Sequence, residues 1–213
     1  MLLPDAVLSQ PQAVDWKREC AAVIPCFNEA AGIAGVVNAV RRHLPTVIVV
    51  DDGSTDATGA QARSSGAEVL RLARNQGKGA ALRAGFQHVS ARQFSWALTL
   101  DGDGQHSPEN IPAFFNCVET KGADLVIGDR LGAAEQMPGL RRFVNLWMTR
   151  RLSHLCGRPV ADSQCGFRLA RLARWAELAL RADHFEVESE FLVKFVRAGH
   201  QVEFVPVQTL YPA

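Results

Sequence analysis

Asp101, Asp103 and Gln105 alternate with glycines in the segment Asp101-Gly102-Asp103-Gly104-Gln105. Carboxylate and amide oxygens are hard ligands of the kind that hold Mg²⁺ or Mn²⁺. The spacing is too short for an EF-hand loop, and Pro112 stands where such a loop needs its glutamate. Two carboxylates and an amide leave coordination sites open, which substrate phosphates usually fill around Mg²⁺. A glycine-rich acidic turn without any ligand has the same composition. A second acidic cluster, Asp51-Asp52-Gly53-Ser54-Thr55-Asp56, offers acceptors for a base N–H and for ribose hydroxyls. Ser54 and Thr55 equally suit a helix cap. Adjacent Asp51 and Asp52 repel unless each has a partner.

Asn75-Gln76-Gly77-Lys78-Gly79-Ala80 carries two glycines and a lysine where a helix opens, an end that attracts anions. It is not a P-loop, because GxxxxGK[ST] is absent, and no GxGxxG follows the first apolar run, which disfavours a dinucleotide fold. Asp162-Ser163-Gln164-Cys165-Gly166-Phe167-Arg168 sets an acid and a guanidinium around a glycine, a pattern shared with plain loop ion pairs. Phe185-Glu186-Val187-Glu188-Ser189-Glu190 is acidic at a helix start, as the helix dipole favours.

The elements that must position these clusters follow from hydrophobic periodicity. Apolar, β-branched runs at Ala21–Pro25, Thr46–Val50, Ala67–Leu72, Trp96–Leu100, Ala123–Gly128 and Val202–Val207 read as strands. Helical patterns cover Glu29–His43, Thr55–Ser65, Gly79–Ser90, Phe167–Leu180 and Phe185–Gly199. Gly66 suits a left-handed helix end, and Ser107-Pro108-Glu109 opens a further helix with Ser107 as its cap. Alternating strands and helices predict an α/β fold, a mostly parallel central sheet with helices on both faces. Such sheets bind ligands at the carboxyl ends of their strands. Asn28-Glu29, Asp51–Ser54, Asp101–Gln105 and Asp129-Arg130 each follow a predicted strand, so all four belong on one rim.

The chain has 213 residues, 47% of them hydrophobic and 21% charged, which predicts one soluble globular domain with residues 1–19 as a loose lead-in. No window reaches the roughly 18 apolar residues of a membrane span, and the first residues lack the apolar centre of a secretory leader. Five cysteines without CxxC spacing argue against a disulfide framework or zinc site and suit a reducing cytoplasm. The net charge of +1 is uneven: residues 130–181 carry 10 basic and 3 acidic side chains, whereas the flanking parts are each net acidic. A nucleic-acid partner is not expected; one basic segment in an acidic chain suggests a single anionic partner, although a solvated helical face has the same charge. Within 139–181, Phe143, Leu146, Trp147, Leu152 and Leu155 recur at helical spacing among Arg141, Arg142, Arg150 and Arg151. That reads as a basic amphipathic helix, suited to an anionic membrane surface or to packing on the protein's own core.

Taken in order, VIPCFNE, VIVVDDGSTDAT, NQGKGAALRAGF, LTLDGDGQH, DLVIGDR, DSQCGFR and FEVESEF resemble the family 2 glycosyltransferases, and within them the polyprenyl-phosphate (dolichol-phosphate) mannose or glucose synthase-like branch. The resemblance runs from about residue 22 to 208. It implies a GT-A fold, a nucleotide-sugar donor such as a UDP- or GDP-hexose, Mg²⁺ or Mn²⁺, and inverting transfer. It assigns donor binding to Pro25, Phe27, Glu29, Asp52 and Asp101, to which the clusters above add Gly53, Ser54 and Lys78. The metal falls to Asp101, Asp103 and Gln105, and catalysis to Asp103, Arg130 and Asp162. Acceptor binding falls to Arg141, Arg142, Asn145, Gln164 and Arg168. Phe27 stands where the family usually has tyrosine, and Asp129 where it usually has a small residue.

The implied chemistry is coherent. Displacing a nucleoside diphosphate builds negative charge on the leaving group, which a cation and Arg130 would neutralise. A polyprenyl phosphate acceptor is already anionic and needs no strong base, and the basic segment would hold it at a membrane face. A hydroxyl acceptor would need a carboxylate to take its proton, with Asp162 first and Asp129 second. A nucleotidyltransferase would want a basic glycine-rich loop after the first strand, which PCFNEA is not. A non-enzymatic nucleotide-binding domain remains an alternative. The expected location is cytoplasmic, at most peripheral to a membrane.

Overall fold

The computed structural model describes residues 14–130, 139–178, 180, 182–183 and 186–210, with backbone alone at 139–142. Its strands are β1 (Cys20–Cys26), β2 (Val47–Asp51), β3 (Glu68–Arg71), β4 (Trp96–Thr99), β5 (Leu125–Asp129), β6 (Arg168–Arg171) and β7 (Val202–Pro206). Its helices are α1 (Trp16–Glu19), α2 (Ile33–Arg41), α3 (Thr58–Ser64), α4 (Lys78–Ala91), α5 (Ile111–Lys121), α6 (Gly139–Cys156), α7 (Leu172–Ala176) and α8 (Val187–Arg197). The strands form one seven-stranded sheet in the order β3-β2-β1-β4-β6-β5-β7. All pairings are parallel except those of β6 with β4 and β5.

Every residue of β1, β2 and β4 is buried, so both faces of the sheet centre are covered. That is why these strands read as continuous apolar runs instead of alternating ones. The six strands read from the sequence are all present. The left-handed conformation at Gly66, with φ of 86°, ends α3 as expected.

Three local expectations fail, the first being that the lead-in is loose up to residue 19: Trp16–Glu19 is helical and the Trp16 ring stacks on Phe115 with centroids 4.3 Å apart. Phe167–Leu180 is not one helix: Arg168–Arg171 forms β6 and only Leu172–Ala176 is helical. The text Arg168-Leu169-Ala170-Arg171 favours helix locally, but two open strand edges flank it. Thr99 pairs with Arg168 on one side and Ile127 with Arg168 on the other, and this ladder overrides propensity. Ser107 also makes no side-chain cap; a 3₁₀ turn at Pro108–Asn110 leads into α5 instead.

Because β6 is antiparallel to both neighbours, β5 regains the direction of β4. The segments after β1, β2, β4 and β5 therefore leave the sheet at the same edge. The order also diverges between β1 and β4, with β2 and β3 lying to the other side of β1, and a crevice opens at such a point.

Candidate active site

At that edge lies a cleft of about 410 Å³ walled by Pro25, Cys26, Phe27, Glu29, Asp52, Asn75, Gly77, Lys78, Ala81, Asp101, Gly102 and Asp103. The Asn28-Glu29, Asp51–Asp56, Asn75–Ala80 and Asp101–Gln105 clusters contribute to it, whereas Asp129 and Arg130 are not among its walls. Asp52 marks one part of the wall. Its carboxylate is almost fully buried and accepts from the backbone N–H groups of Gln76 and Gly77, both at 2.8 Å. A carboxylate has about four acceptor sites, so Asp52 retains capacity for a donor inside the cleft. Asp51 turns the other way, accepting from Ser54 N at 2.8 Å and facing Arg71 at 3.2 Å. Each of the adjacent aspartates thus has its own partners. Gly53 has φ of 74°, and a Cβ there would sit 2.5 Å from the Arg74 carbonyl carbon, so glycine is required.

Ser54 does not face the cleft. It is buried, and its hydroxyl accepts from Asn28 N at 3.0 Å while Thr55 N donates to Asn28 Oδ1 at 2.9 Å. Glu29 N donates to Thr58 Oγ1 at 2.8 Å and Ala30 N to Asp56 Oδ2 at 3.2 Å. These bonds zip the loops after β1 and β2 together, which spends Ser54 on scaffolding instead of on donor binding. Phe27 projects into the cleft mouth and is 43% exposed, a flat apolar surface available to a base.

Lys78 lies between two carboxylates, 2.6 Å from Asp101 Oδ1 and 2.5 Å from Glu188 Oε1. Burial alone would lower its pKa, but Asp101 and Glu188 raise it instead. Asp101 is also 3.4 Å from His106 Nε2. Burial would raise the Asp101 pKa, yet Lys78 and His106 hold it well below the usual carboxylate range. Asp101 thus lies in an ion pair with Lys78 on the cleft wall, beside Asp103. The sequence motifs assign Glu188 no place at the site. A signal was present: Val187, Glu188, Phe191, Leu192 and Phe195 form one buried stripe of α8, and a glutamate on such a stripe demands a buried partner.

Asp103 differs from Asp101. It is exposed at the cleft and its Oδ1 accepts only a local bond, from Gln105 N at 2.9 Å. The neighbouring Glu29 carboxyl has a raised pKa, first through burial and then through the charges of Asp103, Asp56 and Asp101. Crowded hard oxygens that repel one another fit a divalent cation. Gln105 is not among the cleft walls, and its backbone carbonyl accepts from Leu210 N at 2.8 Å. Among the described residues no three His, Cys, Asp or Glu side chains close into a metal cage. The residues thus fit an ion held by few protein ligands, with Asp103 foremost.

Arg130 follows β5 and is buried with Asp162. Its Nε donates to Asp162 Oδ2 at 2.7 Å and its Nη2 to Asp162 Oδ1 at 3.1 Å, a two-pronged pair. Burial opposes the charge on Arg130, but the Asp162 bond and the charges of Asp162 and Asp101 raise its pKa. Asp162 also accepts from Gln164 N at 2.9 Å. Both Asp162 oxygens are thereby engaged, by Arg130 and by the Gln164 amide. Gln164 Nε2 donates to Ser189 Oγ at 2.9 Å. Arg168 is fully enclosed and donates to the carbonyls of Cys165, Glu188 and Ser163 at 2.8–3.0 Å. Its guanidinium ties this loop to α8. Asn145 is buried on α6. The side chains of Arg141 and Arg142 lie outside the described residues.

The fold is that of the GT-A glycosyltransferases. The chain matches the Glycosyl transferase family 2 description over residues 21–173 and belongs to that family. It is 33% identical over 194 residues to the glycosyltransferase AglJ of Haloferax volcanii, spanning 88% of this chain and 61% of that protein. It is 30% identical over 200 residues to the undecaprenyl-phosphate mannosyltransferase of Micrococcus luteus, spanning 87% of this chain and 81% of that one. Among solved structures, glucosyl-3-phosphoglycerate synthase from Mycobacterium tuberculosis, crystallised with Mn²⁺, UDP and phosphoglyceric acid, superposes with a TM-score of 0.72 at 22% identity, covering 92% of this chain and 72% of that one.

Proposed function

We propose that this glycosyltransferase moves a hexose, with inversion, from a nucleoside-diphosphate sugar to a polyprenyl phosphate, and that it requires Mg²⁺ or Mn²⁺. The observation that carries the reading is the single cleft in which Asp52, Asp103 and the Lys78–Asp101 pair share one wall. Asp52 would accept from the base N–H, with Phe27 against the ring. Asp103, with Glu29 beside it, would hold the cation, whose chemistry is to offset charge on the diphosphate as the bond to the sugar breaks. Arg130, fixed by Asp162, would aim a permanent positive charge at the same developing charge. Metal and UDP in the mycobacterial structure support the donor side.

The acceptor reading draws on two features. Curated relatives are named for polyprenyl phosphates, among them the Micrococcus enzyme. Asp162, the carboxylate best suited by sequence to deprotonate a hydroxyl, is committed to Arg130, whereas an anionic phosphate needs no such base. The test is a thermal-shift panel of UDP, GDP and their hexose conjugates with Mn²⁺, followed by transfer from the stabilising donor to undecaprenyl phosphate and assignment of the product anomer. A stabilised complex and an inverted lipid-linked product are expected. Stabilisation by no nucleotide, or transfer only to hydroxyl acceptors, overturns the proposal.

A further inference from the structure

Helix α6 is turned inside out relative to a helix that packs on a core. Its inward side carries Asn145, Thr149 and Leu152. Thr149 Oγ1 is 3.1 Å from Ser163 Oγ, and Ser153 Oγ accepts from Val160 N at 3.0 Å, so this side is joined to the loop that holds Asp162. Its outward side carries Phe143, Val144, Leu146, Trp147 and Leu155, with Phe143 67% and Trp147 49% exposed. Arg150 and Arg151 are exposed on the same side, and the Arg151 guanidinium lies 5.0 Å from the Trp147 ring centroid. Large apolar side chains on one outward strip are uncommon unless something covers them.

We infer that the outward face of α6, through Phe143, Trp147, Leu155, Arg150 and Arg151, docks on the headgroup region of an anionic lipid bilayer. The choice of a lipid surface deepens, and rests on, the lipid-phosphate acceptor proposed above. Residues 139–156 contain four arginines and no Asp or Glu. Arginines attract anionic headgroups, and tryptophan and phenylalanine sit at the depth where headgroups meet acyl chains. A second copy of this chain is a poorer occupant, because a two-fold contact sets the same arginines against each other. No helix among the described residues is long and apolar enough to cross a membrane, so α6 lies on the surface. The inward bonds to Ser163 and Val160 then bring the headgroup plane beside the loop that orients Arg130.

Co-sedimentation of the full chain with phosphatidylglycerol and with phosphatidylcholine vesicles tests this. The chain is expected to pellet with phosphatidylglycerol and be released by salt. At about fivefold per arginine, R150Q/R151Q weakens vesicle binding roughly 25-fold, and F143S/W147S removes it. Both variants keep wild-type transfer to a short, water-soluble polyprenyl phosphate while losing transfer to vesicle-embedded acceptor. No pelleting with phosphatidylglycerol, pelleting indifferent to these substitutions, or a dimer in sedimentation equilibrium that F143S/W147S dissolves overturns the inference. Vesicle binding that behaves as expected without transfer to any polyprenyl phosphate supports the docking and refutes the acceptor proposal alone.

Discussion

Asp162→Asn separates a carboxylate that orients Arg130 from one that takes a proton. In the wild type Asp162 accepts from Arg130 Nε and Nη2 and from Gln164 N, with no solvent exposure. An asparagine keeps one acceptor oxygen and turns an NH₂ toward a guanidinium that can only donate. Breaking one side of a buried ion pair costs about 3–5 kcal/mol because the other charge stays buried and unpaired. For a chain of this size about 2–4 °C is lost per kcal/mol, so the melting temperature should fall by roughly 6–20 °C. Transfer should fall with it, and a proton donor or acceptor role predicts a new pH dependence that positioning does not. The double variant Arg130→Met/Asp162→Leu should recover much of the stability, since matched apolar replacement of a buried pair is often neutral, yet regain no activity. A single variant that melts like the wild type while losing transfer would refute the reasoning, as would a double variant as unstable as the sum of its singles.

Three further outcomes follow from the same geometry. Asp103→Ala should abolish metal-dependent nucleotide stabilisation in a thermal-shift assay while changing the ligand-free melting point by less than about 1 kcal/mol equivalent, because its side chain is exposed. Gly166→Ala would place a Cβ 2.7 Å from Asp101 Oδ1 and 2.9 Å from Lys78 Nζ; overpacking of about 1–3 kcal/mol and weaker nucleotide binding by titration are expected. Asp101 has a depressed pKa, so its contribution to stability is complete above the unfolded carboxylate range near pH 4 and is lost as the pH falls below it. Asp101→Asn should therefore flatten the acid limb of a stability-against-pH curve measured by urea unfolding.

The central strands and the polar clusters after them were legible because buried parallel strands leave unbroken apolar text, and because ligand chemistry collects where those strands stop. The division of labour within the clusters was not legible. Asp51, Asp52, Asp101 and Asp103 are the same residue type, and only their partners distinguish them: Arg71, two backbone amides, Lys78 and an open cleft. Those partners lie 20 to 25 residues away in sequence, and Glu188 lies 110 residues from Lys78. Strand β6 was hidden for a related reason, since nothing in Arg168-Leu169-Ala170-Arg171 records the two edges waiting for it. Helix α6 was recognised by its spacing, but periodicity does not tell which side faces out.

The reversed strand β6 has a geometric consequence for the whole catalytic rim. Neighbouring strands sit about 4.8 Å apart, so inserting one between β4 and β5 spaces the roots of the Asp101 and Arg130 segments by roughly 10 Å. That span is wide enough for a bridging group to reach both, and too wide for the two segments to collapse onto each other. The sheet acts here as a ruler, and a four-residue strand sets its scale.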